Sequence, residues 1–178
     1  MKKLKNEELN RLSVDEFRRA EKIPLVLILD DIRSLNNVGS AFRTADAFLL
    51  EKIFLCGITG QPPHREINKT ALGATESVSW EYHENAMPLV KNLKENGYWI
   101  VTVEQVEQGT PLQKFLPGHL KLALIFGNEI NGVKEELIRL SDTIIEIPQF
   151  GTKHSLNISV SIGIVIWDLI CKLKLVKG

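Results

Sequence analysis

The sequence is poor in cysteine: Cys56 and Cys171 stand far apart and form no CxxC pair. That excludes a disulfide framework, argues against a zinc site and suits a reducing compartment. Charge of one sign is also missing. The 22 Lys and Arg are matched by 22 Asp and Glu, so the basic excess that most simply marks a nucleic-acid binder is absent, although a local basic face stays open. No apolar core follows the lysines at the start of the chain, as a signal peptide would require. The longest apolar stretch, residues 156–167, is too short for a bilayer and runs into Asp168. No GxGxxG follows the first apolar run, no Gly-Lys-Ser/Thr closes a phosphate loop, and neither GxSxG nor HExxH occurs. What is present is ordinary for a folded chain, 44% hydrophobic and 25% charged. The expectation is one cytoplasmic domain over residues 1–178, with no membrane segment and no metal.

Continuous apolar runs mark strands buried on both faces. They occur at residues 24–29, 53–56, 98–103, 120–126 and 143–147, with a weaker candidate at 78–82. Helix-like segments fall between them, at 38–48, 65–72, 85–95, 133–140 and 155–175. Alternation of this kind predicts an α/β fold, a parallel sheet with helices on both faces. Residues 158–166 are rich in β-branched side chains, yet the apolar segment continues to Leu175 without a turn signal, which favours a helix. Leu4, Leu9, Leu12 and Phe17 lie at roughly helical spacing, so residues 1–22 read as an amphipathic helical extension.

Ligands of open parallel sheets bind beyond the carboxyl ends of strands. Three turns there are unusual. After the first run, Asn36 or Asn37 is suited to capping a helix that carries Gly39 and Arg43; the plainer reading is a cap, a packing glycine and a solvated arginine. After the run ending at Phe126, Gly127 and Gly132 bracket Glu129, so the backbone there can approach a flat ligand; the plainer reading is a strand-to-helix turn. After Ile147-Pro148 comes a Gly151 loop and then Ser155-Leu156-Asn157, where Ser155 is placed to cap the last helix. His154 reads more simply as a solvated loop histidine than as a general base.

Together the three segments closely resemble the SpoU (TrmH) family of SPOUT RNA methyltransferases. The first matches Asn-x-Gly-x-x-x-Arg at Asn37, Gly39 and Arg43; the second matches Phe-Gly-x-Glu-x-x-Gly at Phe126, Gly127, Glu129 and Gly132; the third matches Ile147, Pro148, Gly151, Ser155, Leu156 and Asn157. Gln149 departs from the pattern, standing where many members carry Met. The resemblance covers residues 24–175 and implies a SPOUT-type sheet whose C-terminal part forms a deep trefoil knot, against the usual rule for chains. It also implies a homodimer whose active sites take residues from both protomers, with the last helix at the contact.

The implied cofactor is S-adenosyl-L-methionine, held by Thr102, Gly127, Ile147, Ser155 and Leu156, and the implied reaction is methyl transfer to a ribose 2′-hydroxyl of tRNA or rRNA. Arg43 would act on that hydroxyl, with Asn37, Glu129, Ser155 and Asn157 completing the site. A guanidinium stays charged in proteins, so gripping phosphate and organising the hydroxyl suit Arg43 better than removing a proton. Arg33, Arg43, Arg65, Lys69 and Lys153 would contact RNA phosphates; a solvated loop surface is the plainer alternative. A catalytically silent RNA-binding protein on the same scaffold is the competing function, disfavoured by the complete residue set. A nucleotide-dependent small-molecule enzyme is disfavoured by the missing fingerprints.

Overall fold

The computed structural model describes residues 1–9, 11–118 and 121–173. Its strands are β1 (Ile23–Asp30), β2 (Leu50–Cys56), β3 (Trp80–His83), β4 (Trp99–Val103), β5 (Thr110–Pro111), β6 (Leu122–Phe126) and β7 (Thr143–Glu146). They form a seven-stranded sheet in the order β3-β2-β1-β6-β4-β7-β5, and every pairing in it is parallel. The helices are α1 (Val14–Arg19), α2 (Leu35–Ala47), α3 (Arg65–Ala71), α4 (Ala74–Ser77), α5 (Ala86–Glu95), α6 (Glu135–Leu140) and α7 (Ile158–Lys172).

Side-chain alternation explains the two covered faces. Leu25, Leu27 and Leu29 of β1 join the core beneath α2, α3 and α7. Val26 and Ile28 join the core beneath α5 and α6. Strand β6 repeats the pattern with Leu122, Leu124 and Phe126 on the first face and Ala123 and Ile125 on the second. The β-branched segment expected to be helical is α7, and Ile162, Val165, Ile166, Leu169 and Ile170 form its buried stripe. At Gly39 the α2 and α3 backbones close up: a Cβ there would lie 2.3 Å from Ile67 O and 2.1 Å from Thr70 Oγ1.

Several boundaries differ from expectation. Ser34, not Asn36 or Asn37, caps α2 by accepting from Asn37 N, so the helix begins three residues early. Asn157, not Ser155, caps α7, accepting from Ser159 N. Helix α6 begins at Glu135 because Val133 and Lys134 are held outside it by the side chains that directly follow β4 and β1, Glu104 and Asp31. The N-terminal extension is a 3-10 turn, Asn6–Leu9, followed by the short α1, which a Ser13–Glu16 capping box restarts. Of its four spaced hydrophobics only Phe17 is buried. Strand β5 is too short to leave an apolar run. Leu120, Lys174 and Leu175, where strand and helix were expected to extend, lie outside the described residues.

The topology matters for the site because β6 lies between β1 and β4. The chain therefore leaves β1, β6, β4 and β7 on the same side of the sheet, and the turns that follow these strands converge there.

Candidate active site

A cavity of about 490 Å³ opens beyond the ends of β4, β6 and β7. Its walls are drawn from residues 103–105, 126–132 and 146–161. The middle wall is a tight loop. Asn128 N donates to Gly132 O at 3.0 Å, Gly132 N returns a bond to Asn128 O at 2.9 Å, and Asn128 Oδ1 accepts from Ile130 N and Asn131 N. Glycine is required where this loop closes: a Cβ on Gly127 would lie 2.4 Å from the carbonyl of Gly132 and from Val133 N. Gly132 takes a left-handed φ of 67°.

The turn after β1 meets this loop through Glu129. The carboxylate accepts from Arg33 N at 3.0 Å, Ser34 N at 3.1 Å and Asn37 Nδ2 at 3.2 Å. Partial burial raises the carboxyl pKa, but the backbone donors and the Asn37 amide outweigh it and hold Glu129 below the ordinary glutamate value. The third segment joins through the same asparagine, since Asn157 Nδ2 donates to Asn37 Oδ1 at 3.1 Å. Asn37 is largely buried, with its amide nitrogen directed to Glu129 and its oxygen to Asn157. One side chain thus ties the three motifs together.

Gly127, Glu129, Ile147, Ser155, Leu156 and Asn157 all line the cavity. His154 does too; it is exposed, and its carbonyl accepts from Gln105 Nε2 at 3.1 Å. Between Pro148 and Leu156 that is the sole hydrogen bond among the described residues, so the peptide groups of the lining residues Gln149, Ser155 and Leu156 are open to a ligand. Thr102 is not in the lining. It is fully buried, and its hydroxyl pairs with Ser141 Oγ at 2.7 Å; Val103, Glu104 and Gln105 stand at the wall in its place. Arg43 is also elsewhere. It lies with Lys69, Ser40, Thr70 and Gly163 at a separate hollow of about 580 Å³ between α2, α3 and α7, and it has no ion pair among the described residues. Arg33, Arg65, Lys69 and Lys153 are all exposed, Arg65 and Lys69 sharing one face of α3.

Five residues around the site, Asn128, Glu104, Lys134, Asp30 and Asp31, escaped sequence reasoning. Asn128 donates to Asp31 O at 2.7 Å. Glu104 accepts from Val133 N at 2.8 Å. Lys134 Nζ lies 2.6 Å from Asp31 Oδ2 and 3.1 Å from Asp30 Oδ2, and Asp30 is only 1% exposed. Burial raises the Asp30 pKa against the pull of Lys134, whereas at the more accessible Asp31 the Lys134 and Ile58 donors outweigh burial and lower it. The available signal was an acid directly after two buried strands, Asp30-Asp31 and Glu104. Among the described residues, no cluster of His, Cys, Asp and Glu suits a metal ion and no helix is long and apolar enough to cross a membrane.

Comparison with known proteins agrees with this fold. The chain is 32% identical over 152 residues to a 23S rRNA (guanosine-2′-O-)-methyltransferase of Neisseria meningitidis, a match covering 85% of this chain and 60% of that protein. It thus spans somewhat under two thirds of that relative's length. A crystal structure of the A. aeolicus TrmH/SpoU tRNA-modifying enzyme superposes with a TM-score of 0.81 at 22% identity, covering 91% of this chain and 81% of that one. An AdoMet-bound rRNA methyltransferase of Sinorhizobium meliloti superposes with a TM-score of 0.79 at 24% identity, covering 93% and 62%. Residues 24–167 match the SpoU rRNA Methylase family over most of the chain. The chain belongs to that family.

Proposed function

We propose that this protein is an S-adenosyl-L-methionine-dependent RNA methyltransferase that modifies a ribose 2′-hydroxyl of tRNA or rRNA in the cytoplasm. The observation that carries the reading is the pair of hydrogen bonds from Asn37 to Glu129 and Asn157, which fastens three separate motifs around a ligand-sized cavity.

The cavity suits the cofactor. Apolar Val103, Phe126, Ile147 and Leu156 offer a slot for a flat base, and the backbone of Gln149, Ser155 and Leu156 offers donors and acceptors along one wall. The S. meliloti protein of the same fold holds AdoMet. Gly127, Ile147, Ser155 and Leu156 would hold the cofactor here, with Val103, Glu104 and Gln105 in the position first assigned to Thr102. When bound, the cofactor supplies an electrophilic methyl group. The protein's own part is alignment: Asn37 fixes the Glu129 carboxylate, and Asn157 sets the wall that leads into α7.

Arg43 grips the RNA phosphate and organises the attacking hydroxyl. Since it lies outside the cavity of its own chain, the reading requires a homodimer in which one protomer's Arg43 serves its partner's cavity. The exposed Val160, Ile164 and Trp167 on α7 support such a contact. Arg33, Arg65, Lys69 and Lys153 hold further phosphates. A trefoil threading of the C-terminal part accords with α7 packing on the segment after β5, where Lys172 Nζ donates to Leu112 O at 2.5 Å.

The test is methyl transfer from labelled cofactor to total RNA. Arg43→Ala and Glu129→Gln are each expected to lose at least about 100-fold in turnover while remaining folded. Mixing the two inactive variants after subunit exchange restores about a quarter of wild-type activity if the site is shared between protomers, and none if it is not. Near-normal turnover by Arg43→Ala overturns the assignment.

A further inference from the structure

We infer that Lys134, acting with Asp30 and Asp31, is a positioning device for the active site: it locks the turn after β1 so that the amides of Arg33 and Ser34 face Glu129. The inference rests on the functional reading above and concerns residues outside its three motifs.

The turn has an unusual geometry. Asp31 adopts a left-handed φ of 57°, a conformation that side chains other than glycine rarely hold without help. Its side chain supplies that help. Asp31 Oδ1 accepts from Ile58 N at 2.9 Å, and Asp31 Oδ2 receives Lys134 Nζ at 2.6 Å. Lys134 also reaches both oxygens of Asp30, at 3.1 and 3.2 Å, deep at the end of β1. The backbone kink at Asp31 turns the chain out of the strand, and the amides two and three residues later then point at Glu129.

The same lysine ends the glycine loop. Val133 N, its neighbour, is held by Glu104 beyond β4, while Lys134 is held by β1. Because β6 lies between β1 and β4, the loop that carries Glu129 is tethered to both neighbouring strands at its C-terminal end. Asn128 adds a tether at the other end through Asp31 O. A loop fastened at both ends has few ways to move its central carboxylate. Lys134 touches no cavity wall itself, so its influence on chemistry passes through Asp31 and the amides.

The experiment compares Lys134→Arg, Lys134→Met and Asp31→Gly in the full chain, reading amide hydrogen exchange at Arg33 and Ser34 together with methyl-transfer kinetics. Asp31→Gly keeps the backbone conformation accessible while removing the link, so it supplies a folded variant should Lys134→Met fail to fold. Lys134→Met and Asp31→Gly are expected to lose protection of both amides and at least tenfold in kcat, with the RNA KM and the melting temperature of Asp31→Gly changed little. Lys134→Arg is expected to stay within threefold of wild type. Unchanged protection, or lost protection with unchanged kcat, overturns the inference. Absence of methyl transfer by the wild-type chain overturns the functional reading and the role with it, and intact wild-type protection would show that the fault lies in the assigned reaction.

Discussion

Asn157 donates its side-chain amide to Asn37 at 3.1 Å across 120 residues of sequence. The same asparagine caps α7 with its oxygen, accepting from Ser159 N at 2.9 Å. The two duties separate by substitution. Asn157→Asp keeps an acceptor for the helix and loses the donor to Asn37, whereas Asn157→Ala loses both. We expect Asn157→Ala to cost about 1 kcal/mol of stability through the missing cap, and Asn157→Asp to cost little. Both should lower turnover at least about tenfold, because the link between the motifs is gone. Thermal melts beside methyl-transfer assays check the split, and full activity in Asn157→Asp would deny the link any role.

The depressed pKa of Glu129 fixes a sign for its pH dependence. A carboxyl whose folded pKa lies below the ordinary value of 4.5 stabilises the fold fully at higher pH. That contribution fades as pH falls through 4.5 toward the folded pKa. The melting-temperature difference between wild type and Glu129→Gln should therefore be flat from neutrality to about pH 5.5 and narrow below it. A difference that widens on acidification would show that the amides do not favour the charged form.

Most of the sheet was legible because strands buried on both faces must be apolar throughout, and β1, β2, β4 and β6 carry such runs, while β7 showed through its Ile144-Ile145 pair although only Ile145 is buried. Strand β5 was not, since two residues on an edge need no apolar signature. The strand order was not legible either: insertion of β6 between β1 and β4 is a long-range fact with no local trace. At the site, the caps were misread for a physical reason. Asn37 suits an N-cap, but its amide and oxygen are both engaged across the fold by Glu129 and Asn157, leaving Ser34 to cap α2. Lys134 read as an ordinary helix residue because its carboxylate partners lie more than 100 positions away in sequence.

Gly127 makes a steric prediction. A methyl group at this position would collide with backbone atoms at 2.4 Å, and backbone cannot swing aside as a side chain tip can. Gly127→Ala should open the 127–132 loop, with overpacking costs of about 1–3 kcal/mol. Calorimetry with S-adenosylhomocysteine should then show affinity reduced by at least about tenfold, or about 1.4 kcal/mol. Unchanged affinity would mean that the loop does not contact the cofactor.

The two cysteines should differ sharply in reactivity. Burial, reinforced by the nearby Asp30 charge, pushes the Cys56 thiol up to about 12, while Cys171 is exposed. At pH 8 the thiolate fraction of Cys56 is roughly one in ten thousand, and the thiolate is the nucleophile. Alkylation of the native protein should label Cys171 alone, and both residues should react in denaturant. Labelling of native Cys56 at a comparable rate would contradict the packing at the end of β2.

Gly163 sits in the middle of α7, where a Cβ would meet nothing within 4 Å. Glycine inside a helix costs about 1 kcal/mol relative to alanine, so the isolated chain gains nothing from it. Its position on the hollow shared with Arg43 and Lys69 suggests what does. If a second protomer packs into that notch, the missing side chain is what lets it approach. Gly163→Ala should then stabilise each protomer by up to about 1 kcal/mol while weakening self-association, read by sedimentation over a concentration series. Methyl transfer should fall with the dimer fraction and recover at high protein concentration. A variant that is more stable, equally dimeric and equally active would place the interface on another face and leave Arg43 without a route to the cavity.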